Sequence, residues 1–383
     1  MSAPLIAFVN DINGSKRSGC QLLWARAAQH LHRTGRARIA LAFRRSDLID
    51  LPEVTALLAA GCAWRIEEPA TPSFPQRLAR RLWHTPAADP QRETIAWLRA
   101  LRPDFVVINQ SGCIGVESWG PLLAAHGWPY ATISQCVDVH MWPADERNRL
   151  LRAGYLAAKK NFFVSSGNQR VLETIVGVAL PNAAVVSNPF RADFDAPFSW
   201  PARETPTRFA CVARLFPAAK GQDLLLQALA RPAWAGRDWQ LTFAGEGPAA
   251  DGLRQLAATL GLAHRVTFAG QVENIADLWR DHHALVLPSR YEGMALAVLE
   301  ALVIGRPCIT TDVADNRAHI RDGETGFIAA APTVEHLAEA LERAWATRAR
   351  WREMGALAWQ RARESLPRDP GAALAEQFLS LLG

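Results

Sequence analysis

The chain has 383 residues, 49% of them hydrophobic and 21% charged, with a formal net charge of +5. This balance describes a globular chain of two or three domains and excludes a disordered or collagen-like one. The charge is too mild to argue for a nucleic-acid partner. The six cysteines, at 20, 62, 113, 136, 211 and 308, are widely spaced and form no C-x-x-C pair. They read as mostly buried thiols rather than a zinc or redox motif. Met1 to Asp11 lacks the basic start and long apolar core of a secretion signal. No run of ~18 apolar residues suggests a membrane span. A soluble, cytoplasmic protein is the expectation.

Short apolar runs alternate with helical patterns along the chain. Leu5–Val9 reads as a strand, and Cys20 to Leu31 as a helix with Leu22, Leu23, Ala27 and Leu31 on one face. Strand runs follow at Arg38–Phe43, Phe105–Ile108, Tyr130–Ser134, Asn161–Val164 and Ala184–Val186. Four prolines and no periodicity mark Asn188 to Pro206 as a domain linker. A second series has strands at Arg208–Ala213, Trp239–Ala244, Val266–Ala269, Ala284–Leu287 and Pro307–Thr310. Its helices are expected over Gln222–Ala230, Ala250–Leu260, Ile275–Asp281, Ala295–Val303 and Val334–Ala346, and a last amphipathic helix over Gly371 to Leu382. The alternation predicts two α/β domains with parallel sheets and crossover helices. Ligands of such sheets bind beyond the carboxyl ends of the strands, so the loops there carry the chemistry.

Four such loops stand out in the second series. Arg214 and Lys220 follow a strand and precede Gly221, a plausible diphosphate clamp of one forked and one compact cation. Two solvated basic residues are the commoner meaning of such a pair; its place at a strand end favours the clamp. Gly245-Glu246-Gly247 turns after the next strand, where backbone can approach a ligand closely. Gly270-Gln271-Val272 ends another strand. Glu292 and Glu300, with seven residues between them, bracket the start of a helix whose free N–H groups suit a phosphate. Apolar neighbours Leu299, Ala301 and Leu302 argue that Glu300 is not an idle surface charge.

These elements, and the run from Gly305-Arg306-Pro307 to Thr325-Gly326-Phe327-Ile328, resemble the group 1, or family 4, retaining glycosyltransferases. The likeness is closest from Arg208 to Ile328 and looser in the first half. It implies the GT-B fold, in which two Rossmann-like domains face across a cleft. The expected domains are an acceptor-side domain over 1–190, a nucleotide-sugar-binding domain over 205–362, and a segment over 363–383 returning to the first. By the resemblance, Arg214 and Lys220 hold the donor's diphosphate, and the backbone near Gly293, Met294, Ala295, Leu296 and Ala297 meets phosphate. Glu300 binds ribose, Glu292 lies near the transferred sugar, the turn Gly245 to Gly247 lies near the donor, and Val272 contacts the base. Gly19, after Ser18, takes the place of a family glycine facing the donor phosphates. Asn109 stands where many members have a histidine at the reacting centre. Asparagine can hydrogen-bond a sugar hydroxyl but is no acid or base near neutral pH. His140 is an alternative reaching group, although a single histidine is more often structural. A second departure is Ala314-Asp315 and Ala318, where the family commonly has Gly-Gly and Glu.

The resemblance thus implies a retaining transfer from a nucleoside diphosphate sugar to a glycan, lipid-linked or small-molecule acceptor, without metal or other cofactor. Asp193-Phe194-Asp195 mimics a metal-binding D-x-D but falls in the linker. Arg77, Arg80, Arg81 and Trp83, with Phe74, Leu78 and Leu82, form a short basic amphipathic patch suited to a peripheral membrane contact; an ordinary surface helix reads the same way. A transferase-like binding partner and a nucleotide-sugar 2-epimerase are the alternatives. A dehydrogenase is disfavoured because no G-x-G-x-x-G follows the first strand.

Overall fold

The computed structural model describes residues 3–11, 19–44, 46–67, 90–110 and 112–382. It divides into two units, Met1–Pro189 with Asp369–Gly383, and Phe190–Arg368.

In the first unit the chain runs β1 (Leu5–Asp11), α1 (Gly19–Arg33), β2 (Arg38–Phe43), α2 (Pro52–Ala59), β3 (Ala63–Ile66), α3 (Pro90–Leu101), β4 (Phe105–Gln110), α4 (Val116–Ala125), β5 (Tyr130–Ser134), α5 (Asp145–Ala157), β6 (Lys160–Phe163), α6 (Ser166–Val176) and β7 (Ala183–Val185). Its sheet has the order β3-β2-β1-β4-β5-β6-β7, and every pairing is parallel. β4 is buried along its whole length. That explains why it reads as a continuous apolar run rather than an alternating one: helices cover both faces of a parallel sheet.

The second unit runs β8 (Thr207–Val212), α7 (Pro217–Lys220), α8 (Gln222–Leu229), β9 (Trp239–Ala244), α9 (Ala250–Thr259), β10 (Val266–Gly270), α10 (Ile275–Asp281), β11 (Ala284–Leu287), α11 (Leu296–Ile304), β12 (Cys308–Thr311), α12 (Asn316–His319), β13 (Gly326–Ala329), α13 (Val334–Ala346) and α14 (Trp351–Ser365). The sheet order is β10-β9-β8-β11-β12-β13, again all parallel. Counted from its first strand, this is the order 3-2-1-4-5-6 of a doubly wound sheet. The first unit has the same order with one strand added. The strand order reverses beside β1 and β4 in one unit and beside β8 and β11 in the other, and those crevices are where such sheets take ligands.

The last helix, α15 (Pro370–Ser380), belongs to the first unit. Its Phe378 is fully buried and meets the rings of Phe8 and Phe162 edge-on, at 5.7 and 5.6 Å between centroids. Burying one such ring contributes about 2–3 kcal/mol.

Two strands have no counterpart in the sequence reading. β3 is a four-residue edge strand with Trp64 45% exposed, too short to stand out. β13 is also four residues and lies inside a stretch read only for its motif. The expected linker also differs. Residues 188–206 contain no helix or strand, but 190–204 are packed into the second unit. Phe190 and Phe194 lie on its apolar cluster, Trp359 Nε1 donates to Ala196 O at 3.2 Å, and buried Arg306 reaches Ser199 O. The expected boundary at 362 falls inside α14. Of the six cysteines, Cys62, Cys113, Cys211 and Cys308 are buried and free. Burial pushes the Cys113 and Cys211 thiols up to about 12, so neither is a ready nucleophile.

Candidate functional site

β8 and β11 are neighbours, and the loops that leave their carboxyl ends meet. β11 stops at Leu287 because Pro288 has no N–H for the ladder. After β8 the chain turns through Arg214 and Leu215 into α7, whose last residue is Lys220. Gly221 follows with φ +65°, and a Cβ there would lie 2.0 Å from Pro288 O. Only glycine permits that backbone angle and that approach together.

Lys220 and Glu292 are brought together. Lys220 Nζ donates to Glu292 Oε1 at 2.6 Å, and the buried Ser289 hydroxyl donates to the same oxygen at 2.7 Å. The Glu292 side chain is 7% exposed and that of Lys220 24%, so a nearly desolvated carboxylate faces a cation that still reaches solvent. Thr311 Oγ1 fixes the loop by donating to Ser289 O at 2.5 Å. A second tie joins the same two loops. Arg290 donates to both carboxylate oxygens of Asp223, at 2.7 and 2.8 Å, and to Pro217 O at 2.7 Å. Its own backbone N–H donates to Ala219 O at 2.7 Å.

Arg214 lies in the same loop and is exposed, its guanidinium 4.8 Å above the Phe216 ring. It makes no ion pair among the described residues. The helix α11 begins after Ala295 with no side-chain capping bond, which leaves its first N–H groups to the backbone turn or a ligand. Gly293 and Ala295 are buried, whereas Met294 and Leu296 are half-buried.

Glu300, on α11, is 6% exposed. Its Oε1 accepts from the backbone N–H of Arg191 at 2.9 Å. Burial raises its carboxyl above the usual range, partly offset by the Arg191 N–H and guanidinium. The Arg191 side chain donates to the carbonyls of Val272, at 3.3 Å, and Glu273. The Val272 carbonyl is therefore engaged by the protein itself. The two glycines of the 245–247 turn also have an internal reason. A Cβ on Gly245 would lie 2.2 Å from Ala213 O, and one on Gly247 2.3 Å from Leu215 O. The backbone they admit closely is that of the Arg214 loop.

The remaining expected site residues lie in the first unit. Gly19 opens α1, and the Asn13–Ser18 loop before it lies outside the described residues, as do Phe74, Arg77, Leu78, Arg80, Arg81, Leu82 and Trp83. Asn109 is fully buried, its amide donating to Asn10 Oδ1 at 2.9 Å. Asn10 in turn donates to Gln21 at 3.0 Å. Next to it, Gln110 Nε2 donates to Ser134 and Tyr155 hydroxyls at 2.9 and 2.8 Å. His140 is exposed, its N–H held by Asp138. At the second departure, Ala314 keeps φ +51°, the left-handed backbone that the family's glycine would favour. Among the described residues no group of three or more His, Cys, Asp or Glu is placed to hold a metal ion. Asp195 of the D-x-D pairs instead with Arg368. Among the described residues no helix is long and apolar enough to cross a membrane.

Ser289, Arg290, Asp223 and Arg191 escaped the sequence reading as site residues. Arg290 and Asp223 are 67 positions apart, and Arg191 and Glu300 109 apart.

Two doubly wound parallel sheets of one strand order, with a cation–carboxylate pair at the switch point of the second, define a protein of the GT-B fold class. Residues 206–347 match the family model of glycosyl transferases group 1; this stretch is a group 1 glycosyltransferase domain. An alpha-D-kanosaminyltransferase of Streptomyces kanamyceticus is 36% identical over 128 residues, covering 33% of this chain and 33% of the relative. A lipopolysaccharide core biosynthesis mannosyltransferase of Rhizobium meliloti is 35% identical over 134 residues, 32% of this chain and 36% of the relative. The alignments thus span about a third of these relatives' length. A lipopolysaccharide outer core galactosyltransferase superposes over 98% of this chain and 99% of its own, with TM-score 0.71 and 20% identity. An Anabaena protein, HepE, solved in complex with UDP, superposes over 98% and 99% with TM-score 0.74 and 16% identity. These likenesses extend the fold to the whole chain.

Proposed function

We propose that the protein is a retaining glycosyltransferase, moving a sugar from a nucleoside diphosphate donor to a hydroxyl of a glycan, lipid-linked or small-molecule acceptor. The observation that carries this reading is the Lys220–Glu292 pair at the β8/β11 switch point, with exposed Arg214 beside it. In the transfer, the bond from the anomeric carbon to the diphosphate oxygen breaks, and the bond to the acceptor oxygen forms on the same face. The acceptor's proton passes to the departing diphosphate. Lys220, Arg214 and the start of α11 stabilise the charge that develops on the leaving group, and in many enzymes such stabilisation lowers the barrier more than any other effect. Glu292, fixed by Ser289 and Lys220, is the sugar-side carboxylate, and Glu300 takes the ribose hydroxyls with the oxygen not given to Arg191. Asn109 acts only indirectly here, by shaping the ends of β1 and β4, since its side chain is fully buried. The charge stabilisation is assigned to protein cations, with no metal in a step. A membrane-surface contact through Arg77, Arg80, Arg81 and Trp83 is a separate proposal on which this reading does not depend.

The HepE structures hold UDP and UDP-glucose, which makes uridine donors the first to test here. A thermal-shift panel of UDP, GDP, ADP and dTDP sugars is expected to raise the melting temperature with one base class, since a ligand of the folded state stabilises it. Product analysis with that donor should then give transfer with retention. Binding without transfer to any acceptor supports a transferase-like partner instead, and a changed donor sugar without acceptor supports an epimerase.

A further inference from the structure

We infer that Arg290 is a positioning residue that sets Lys220 at its working distance from the leaving diphosphate; the inference rests on the reading of Lys220 given above. Three observations meet here. First, Arg290 is the only described side chain that clasps α7 and the first turn of α8 together, through Pro217 O and both oxygens of Asp223. A planar fork satisfied on two edges at once holds a fixed orientation that a lysine ammonium cannot. Second, the backbone tie from Arg290 N to Ala219 O lies one residue from Lys220, so the clasp acts on the turn that carries the cation. Third, the contact of Gly221 with Pro288 O makes the two loops a single backbone-on-backbone layer. Slippage on the Arg290 side is transmitted to the Lys220 side.

The arrangement divides labour within one loop. Ser289 and Glu292 fix the far end of Lys220 by its ammonium group. Arg290, between them in sequence, bonds Pro217 O, Asp223 and Ala219 O and so fixes the near end of Lys220 by the backbone. Lys220 is the half-exposed cation of the pair, with a long flexible stem. Its rotamer freedom is removed at both ends before a ligand arrives, and such preorganisation strengthens an electrostatic contact.

The test is a double-mutant cycle on the full-length protein, with UDP and GDP as probes and titration calorimetry as readout. Residues that act through one another couple, whereas independent ones add. Arg290→Ala is expected to weaken nucleotide binding about tenfold in the wild-type background and by less than about twofold in Lys220→Ala. Asp223→Asn is expected to reproduce the loss and to add nothing to Arg290→Ala. Arg290→Lys is expected to restore only part of it. Equal losses in both backgrounds, or full restoration by lysine, overturn the inference, because Arg290 would then act directly or by charge alone. Amide exchange over 215–221 gives a readout free of ligand. Arg290→Ala should speed it, and unchanged exchange overturns the inference even if nucleotide affinity falls. If the wild-type chain binds none of UDP, GDP, ADP and dTDP, the functional reading fails, and the exchange measurement still decides whether Arg290 holds the turn.

Discussion

The two units share one strand order and differ in what they place beyond it. At the carboxyl ends of β1 and β4 the first unit builds mainly a network of amides and hydroxyls, Asn10, Gln21, Asn109, Gln110, Ser134 and Tyr155, with one ion pair, Asp11–Arg44, at the end of β1. At the matching ends of β8 and β11 the second unit places charge: Lys220, Glu292, Arg290 and Asp223. Neutral groups satisfy one another in many combinations, so such a network leaves little trace in a sequence. The diphosphate of the proposed donor would need cations and helix N–H groups at fixed backbone positions, a demand that a motif can record. The sequence likeness to known transferases accordingly falls in the second unit, whereas the likeness of fold covers nearly the whole chain.

The comparison breaks most directly at Lys220. Lys220→Ala is expected to cut transfer ~100- to 1,000-fold while leaving the melting temperature within a few degrees. Loss of a first-unit amide, Asn109→Ala, should do the reverse, lowering stability more than it changes nucleotide affinity. Equal turnover in wild type and Lys220→Ala would show that this cation does not stabilise the leaving group.

A charge can also be structural, and Arg306 sharpens that distinction. It is fully buried and donates to the carbonyls of His282, Ser199 and Trp279 at 2.8, 2.6 and 2.7 Å, without a carboxylate. Burial lowers its pKa to about 10, so it remains protonated at neutral pH. Arg306→Met leaves those carbonyls unsatisfied and is expected to cost about 3 kcal/mol in denaturant unfolding. Undiminished stability would show that the linker holds without it.

Glu300 should behave in the opposite sense. Its raised pKa means the folded state holds its proton longer than the unfolded chain, so its ionisation opposes folding as pH rises. Glu300→Gln keeps an acceptor for Arg191 and removes that cost. The variant is expected to bind nucleotide roughly tenfold more weakly at an equal or higher melting temperature. A stability loss would mark Glu300 as scaffold rather than ligand.

The smallest effect concerns His282 and His283, whose pKa values burial lowers. The unfolded imidazoles then take protons first, so their contribution is complete above about pH 6.5 and fades as pH falls below it. His283→Gln, which replaces an imidazole bonded to Arg203 O and to the Arg208 N–H, should flatten the fall in melting temperature between pH 7 and 5. An unaltered slope would place the acid sensitivity elsewhere.

Much of this was legible in the sequence. The continuous apolar strands declared both sheets, and the Arg214 to Gly221 and Glu292 to Glu300 spacings declared the charged loops. The edge strand β3 did not, because only four residues pair and none of them is buried. Nor did the clasp by Arg290: an ion pair spanning 67 positions has no local period to reveal it. The 188–206 stretch lacks regular structure as expected, and the unit boundary falls at Pro189. Prolines forbid regular structure in 188–206, but they do not forbid packing, and Phe190, Phe194 and Trp359 pack there.

The place of α15 has a consequence for how the molecule is made. Phe378 completes a cluster with Phe8 and Phe162, yet the whole of Phe190–Arg368 is synthesised between them. At about 5–20 residues per second, the nascent amino-terminal half waits on the order of ten to forty seconds for its last helix. The later-made half draws its own last core residues from α14 and Leu366, so the two halves are completed within about 15 residues, or roughly one to three seconds, of each other. The amino-terminal half, although made first, thus gains its last core side chain no earlier than the half made after it.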